Sequence, residues 1–181
     1  VFSPNGHLFQ VEYAIEAVKK GLCSVGLVTN SSVVLALSKD HINIKKKAIT
    51  KLQEGRTVKK IVQLDKHIHL AFSGLTADGR ILANKARIEC QSYRLNYDDN
   101  PPIEYISKHI AETKQKYTQK GGVRPFGISA LIAGLDNHGK PHLYYTDPSG
   151  SFSEWKAQAC GRNSKQVSEY LEKHYKDGIS N

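Results

Sequence analysis

The sequence predicts an α+β fold: a four-layer α/β/β/α sandwich of two antiparallel sheets. Three observations predict it. Segments of helical and strand period run in the order helix, strands, two helices, strands, helix. Neither group of strands can bury its sheet alone, whereas stacking the two sheets with helices outside covers both. No repeat, low-complexity tract or linker divides the 181 residues.

The first element is helical. Leu8, Val11, Ala14, Ile15 and Val18 keep the i, i+3, i+4, i+7 spacing behind a Ser3-Pro4-Asn5-Gly6 turn. Gly21 ends the helix after Lys19 and Lys20, which suit the negative end of its dipole. Residues 24–29 and 33–38 read as strands around Asn30-Ser31-Ser32, and residues 60–64 and 67–72 as a second pair around Asp65-Lys66. The Asn30-Ser31-Ser32 sequon is read as that turn rather than as a glycosylation site. Ser73-Gly74-Leu75 breaks the pattern and leads into a helix over about 76–93, whose expected core stripe holds Ile81, Leu82, the Lys85 stem, Ile88 and Cys90. Pro101-Pro102 opens another helix, with Ile103, Ile106, Ile110 and Tyr117 mainly on one face and Tyr105 and His109 flanking it. Strands return at 127–135 and 140–146 around a hairpin loop at 136–139. After Asp147-Pro148-Ser149-Gly150, residues 151–159 are expected as one further strand carrying the only tryptophan, Trp155. Gly161 leads into a last helix over about 164–175.

Hydrophobic residues at 39% and charged residues at 24% mark ordinary globular material rather than a disordered chain. The formal charge of +9 raises nucleic acid, an anionic membrane or an acidic protein as partners. The basic residues come in short groups, Lys45-Lys46-Lys47 and Lys59-Lys60 among them, without an aromatic RNA-binding signature or zinc-finger spacing. A solvated basic surface is therefore favoured, and no nucleic-acid partner is expected. Cys23, Cys90 and Cys160 lie far apart with no CxxC, which fits small buried groups in a reducing compartment. No signal peptide is read, and the longest nearly apolar run, Ile128 to Leu135, is far short of the ~20 residues that cross a bilayer. A soluble intracellular protein with no membrane partner is expected. No cofactor or metal is expected either: His67 and His69 share one face of a strand, but two histidines without a third ligand are more often structural.

Phe2-Ser3-Pro4-Asn5-Gly6-His7-Leu8-Phe9-Gln10-Val11-Glu12-Tyr13-Ala14, followed by Glu16-Ala17-Val18-Lys19-Lys20-Gly21, resembles the signature that opens proteasome alpha-type subunits. Ser73-Gly74-Leu75-Thr76-Ala77-Asp78, the run from Gly122 through Arg124-Pro125-Phe126-Gly127 to Leu131, and Thr146-Asp147-Pro148-Ser149-Gly150 extend the resemblance to essentially the whole chain. His7, Glu89-Cys90-Gln91-Ser92 and Tyr117-Thr118-Gln119 make it most similar to the member of the family that holds the fourth alpha position. The resemblance implies one domain over residues 1–181, with residues 1–20 as the N-terminal turn and an outer helix, in the N-terminal-nucleophile hydrolase fold. Asn5 stands where the family usually has Asp. Both ends read as trimmed: the family's Tyr-Asp-Arg gating tail would precede Val1, and its further C-terminal helices would follow Tyr175.

The family's catalytic relatives, the beta subunits, attack with an N-terminal threonine freed behind a glycine. Here Gly21 is followed by Leu22, which has no nucleophilic atom; Cys23 and Ser24 come later, expected buried in a strand and without a free amine. No Gly-x-Ser-x-Gly setting occurs either, so no catalytic residue is expected. The resemblance implies instead a non-catalytic structural and gating subunit of the 20S core's alpha ring, acting in ubiquitin-dependent degradation in cytoplasm and nucleus. Its implied partners are neighbouring alpha subunits, beta-ring subunits reached through the helices opening at Thr76 and Pro102, and a regulatory particle or other activators. Activator C-terminal tails would enter a pocket formed by Lys60, Glu12, Gly74 and Leu75, where the lysine ammonium and a backbone amide meet the tail carboxylate. Pro4 and Tyr13 would support the gate turn, and Lys45-Lys46-Lys47 is read as solvated rather than as an import patch. The rival classes are an active hydrolase of the same fold and a basic nucleic-acid-binding module.

Overall fold

A computed structural model describes residues 2–38 and 59–176. Within them lie α1 (Phe9–Lys20), β1 (Ser24–Val28), β2 (Val33–Leu37), β3 (Ile61–Asp65), β4 (Ile68–Gly74), α2 (Thr76–Tyr97), α3 (Ile103–Gln119), β5 (Ile128–Leu135), β6 (Pro141–Thr146), β7 (Phe152–Glu154), β8 (Ala157–Cys160) and α4 (Ser164–His174). The strands form two antiparallel sheets, one of five strands in the order β3-β4-β5-β6-β7 and one of three in the order β2-β1-β8. Helices α2 and α3 cover one face of the larger sheet, the smaller sheet stacks on its other face, and α4 lies against β8. The expected α/β/β/α sandwich is therefore present.

Strand β5 shows why its sequence is apolar almost throughout. Ile128, Ala130 and Ile132 point into the core beneath α2 and α3, while Leu131 and Ala133 point into the core between the sheets. Alternate side chains leave a strand on opposite faces, so a strand covered on both sides loses the usual polar alternation. Leu143 of β6 fills the inter-sheet space opposite Gly26, where an added Cβ would come within 2.7 Å of it.

Two expectations need correction. The buried stripe of α2 runs through Gly79, Leu82, Ala83, Ala86 and Cys90, whereas Ile81 is 50% and Ile88 70% exposed. The Phe72 ring lies so close to Gly79 that a Cβ there would meet it at 2.5 Å. Small residues let the helix approach the sheet and leave the larger isoleucines outside. The single strand expected over 151–159 is in fact two. Trp155 N–H still donates to Leu143 O of the larger sheet (2.8 Å), but Lys156 O already accepts from Val28 N–H of the smaller one (2.8 Å). The chain changes sheets between those two residues.

Lys114 of α3 is wholly buried. Its Nζ donates to Ile128 O and Thr146 O, both at 3.1 Å. Burial pushes its pKa down from 10.5 to about 7, and the nearby Asp147 charge offsets only part of that. A second buried charge, Asp65, receives Arg94 of α2 in a two-pronged contact at 3.0 Å and fastens the helix to the β3–β4 turn.

Candidate functional site

The chain enters through a tight turn. Gly6 N–H donates to Ser3 O (2.9 Å), Ser3 N–H to His7 O (2.9 Å) and His7 N–H to Ser3 Oγ (2.9 Å). Pro4 occupies the second turn position, where its fixed φ costs nothing, and Gly6 adopts φ +80°. The turn hands over to α1, whose Glu12 lies in the first turn, favourable for the helix dipole, and meets the His7 ring at 2.6 Å. The rings of His7 and Phe9 stack with centroids 5.8 Å apart, and those of Phe9 and Tyr13 at 6.4 Å. Tyr13, expected to brace the turn, thus reaches it through Phe9 and His7.

Helix α1 buries Val11, Ala14 and Val18 and packs on β4 and β5. At its end, a Cβ on Gly21 would lie 2.4 Å from Gly74 N, and a Cβ on Gly127 would meet Leu75 Cδ1 at 2.9 Å and Ala17 Cβ at 3.7 Å. Close approach of bare backbone therefore brings the C-terminal part of α1, Ala17 to Gly21, to Gly74 and Leu75, while Glu12 lies in the first turn of the same helix. Lys60 comes to the same end of the sheet. Ile61 pairs with Ala71, so Lys60 stands level with Phe72, shortly before β4 ends at Gly74. Lys60 is half-buried and Leu75 is 45% exposed. The amide of Leu75 is not available to a ligand, because it donates to Gly127 O at 3.0 Å.

A feature absent from the sequence reading holds this end together. Asp78, in the first turn of α2, receives both Arg124 guanidinium nitrogens at 2.6 and 2.9 Å and the Gly127 amide at 3.0 Å. It staples the 122–127 stretch to the 73–78 stretch, beside the sheet end where α1 docks. The Arg124 hydrogen bonds hold the Asp78 carboxyl below its ordinary value, so this contribution is present above pH about 4 and lost as pH falls through the lowered value. Arg124 is largely exposed, which limits the ion pair itself. Asp78→Asn is expected to cost about 2 kcal/mol, most of it from weakened acceptance of the buried Gly127 amide. Urea unfolding at neutral pH measures it, and the gap between variant and wild type should narrow in acid.

At the position where a nucleophile would follow the glycine, Leu22 O accepts from Ser73 Oγ at 2.6 Å and Gly21 O accepts from Arg162 N–H at 2.9 Å. Ser24 is buried, with its Oγ donating to Phe72 O at 3.4 Å. Cys23 precedes β1 and is half-buried, not within the strand as expected, and burial raises its thiol pKa. His67 Nε2 contacts Pro101 O at 2.9 Å, and among the described residues no group of three or more His, Cys, Asp or Glu could hold a metal ion. No helix among them is long and apolar enough to cross a membrane. Lys45-Lys46-Lys47 lies outside the described residues.

The stretches that meet at this end, the opening helix with residues 73–78 and 122–127, are among those that carry the family resemblance. Residues 18–181 match the family model described as proteasome subunit, and residues 1–17 match the model of the N-terminal signature of A-type proteasome subunits. The chain belongs to the proteasome subunit family, in its alpha type. It is 60% identical over 177 residues to the alpha type-7 proteasome subunit of Dictyostelium discoideum, covering 98% of this chain and 68% of that one. Alpha type-7 of Solanum lycopersicum is 59% identical over 178 residues (98% and 66%), and alpha type-8 of Mus musculus 56% over 182 residues (100% and 70%). The chain thus spans about two thirds of the length of these proteasome relatives.

Proposed function

We propose that this chain is a non-catalytic structural and gating subunit in the fourth position of the 20S core's alpha ring. It templates ring assembly with alpha neighbours and the beta rings, narrows substrate entry and receives activator tails. Its setting is ubiquitin-dependent degradation in cytoplasm and nucleus. The observation that carries this reading is the match of residues 1–17 to the N-terminal signature of A-type proteasome subunits, supported by Lys60, Gly74 and Leu75 lying near one end of the larger sheet. A tail carboxylate arriving there would meet the Lys60 ammonium in a charge-assisted contact. Leu22, inert and held in mid-chain behind Gly21, supports the absence of bond-breaking chemistry.

The test is intact-complex mass of the natural protein purified from its cells, with Lys60→Ala in parallel. Recovery in a stacked multi-subunit particle is expected, with activator-stimulated peptide cleavage about tenfold weaker in the variant, the equivalent of one hydrogen bond to a charged group. Undiminished stimulation would remove Lys60 from the pocket. A lone monomer that cleaves peptides, with a newly exposed Thr, Ser or Cys terminus, would overturn the whole reading.

A further inference from the structure

Between α2 and α3 lies an open groove of about 370 Å³ that none of the pocket residues above touches. Its charge is one-sided. Lys85 and Lys120 hold their ammonium groups over the Tyr117 ring, 5.1 and 6.0 Å from its centroid, and Lys85 also donates to the Tyr117 hydroxyl at 3.3 Å. Lys116 lines the same groove, and none of these three lysines has a carboxylate partner among the described residues. The groove wall also holds one carboxylate, Glu89, whose Oε1 accepts from Tyr105 OH at 2.5 Å and whose Oε2 stands 3.8 Å from Nδ1 of His109, another lining residue. Two ammonium groups on one ring gain some cation–π attraction, yet three ammonium groups share the groove with a single carboxylate that is already hydrogen-bonded, so the lining keeps a net positive charge.

The rim adds a second requirement. Ile88 lines the groove, and Ile81, Ile88 and Leu95 stand exposed at successive seven-residue steps along α2, the last at 86%. A nucleic-acid backbone would match the lysines but leave this apolar row in water, whereas a protein surface can carry both acidic and apolar side chains.

We propose that this groove receives an Asp or Glu side chain of an abutting protein chain, clamped by Lys85, Lys116 and Lys120, with an apolar neighbour on Ile88. The inference rests on the ring assembly proposed above, which turns α2 and α3 toward a neighbouring chain. The carboxylate accepts the ammonium hydrogens in charge-assisted bonds, and the apolar contact shields them from water.

Zero-length carbodiimide coupling on the assembled particle tests it. The reagent joins a carboxylate to a lysine amine in direct contact as an amide, and takes up the released water as its urea. Peptide mass spectrometry is expected to find Lys85, Lys116 or Lys120 joined to an Asp or Glu of another chain. The Lys116→Glu/Lys120→Glu pair should lower recovery of this chain in the particle at least tenfold, and Lys116→Arg/Lys120→Arg should retain it. Both positions are exposed, so the charge-reversed chain should melt close to the wild type. Links only to this chain's own carboxylates, or normal particle entry by the charge-reversed chain, would overturn the groove and leave the ring reading standing. So would loss of binding to a single-stranded DNA oligonucleotide in a charge-reversed chain that assembles normally. Wild-type chain that enters no particle would overturn both.

Discussion

Between pH about 7 and 8.5 the unfolding free energy is expected to rise, by at most about 1.4 kcal/mol per pH unit, and Lys114→Met to abolish the rise. The Lys114 ammonium has exchanged water for two backbone carbonyls, and burial lowers its pKa from 10.5 to about 7. The unfolded chain keeps the ordinary value. Between the two values the unfolded state binds one proton more than the folded state, so stability climbs with pH. The climb ends where buried thiols take over. Cys90 and Cys160 are raised from 9.0 to about 12 by burial, so above pH about 9 the unfolded chain releases protons that the folded chain retains. Methionine fills the space of the lysine stem without the charge. The variant should exceed the wild type at pH 7 and lose that advantage by pH 9. Urea midpoints at pH 7, 8 and 9 decide the matter, and a flat wild-type series would contradict the assignment.

Gly74→Ala is expected to cost at least about 4 kcal/mol and to leave little soluble protein, combining backbone strain with a steric collision. Gly74 has φ +116°, and a Cβ there would stand 2.1 Å from Gly127 O. That carbonyl cannot easily yield, since it accepts the Leu75 amide while Asp78 holds the Gly127 amide. Gly139→Ala is the control. It too has positive φ, +79°, but nothing lies within 4 Å of its added Cβ, so strain alone applies at about 1 kcal/mol. Thermal melts of the pair separate collision from strain, and equal losses would show that the sheet end relaxes.

The layer order was legible because period and punctuation agreed along most of the chain. Ile128 to Leu135 announced a strand covered on both faces, and Ser3-Pro4-Asn5-Gly6 announced its turn. In α2 the size of Ile81 and Ile88 misled. Periodicity locates an apolar stripe, but close packing on Phe72 selects the row with Gly79, Ala83 and Ala86. The change of sheet at Trp155 has no local signature, since it depends on which distant strand each amide meets. Lys114 was hidden for the same reason. A lysine on a helix reads as solvated until the sheet ends it touches are known. At the candidate site, the residues came from the family resemblance. The placing of Lys60, Gly74 and Leu75 near one sheet end, the Asp78 staple and the engaged Leu75 amide came from the fold.

The pairing of β1 with β8 bears on how the molecule is made. Leu27 lies opposite Ala157, and Ser24 opposite Cys160. During synthesis the first hairpin emerges early, yet one edge of β1 has no mate until nearly all the described chain has left the ribosome. Until β5 and β6 have emerged, Val28, Val33, Leu35 and Leu37 have no facing layer to pack against. An open strand edge beside an apolar face invites pairing with other nascent chains. Sheltering that hairpin through the delay is therefore expected to raise the yield of folded protein, and slow translation of the segment between the two strands to lower it.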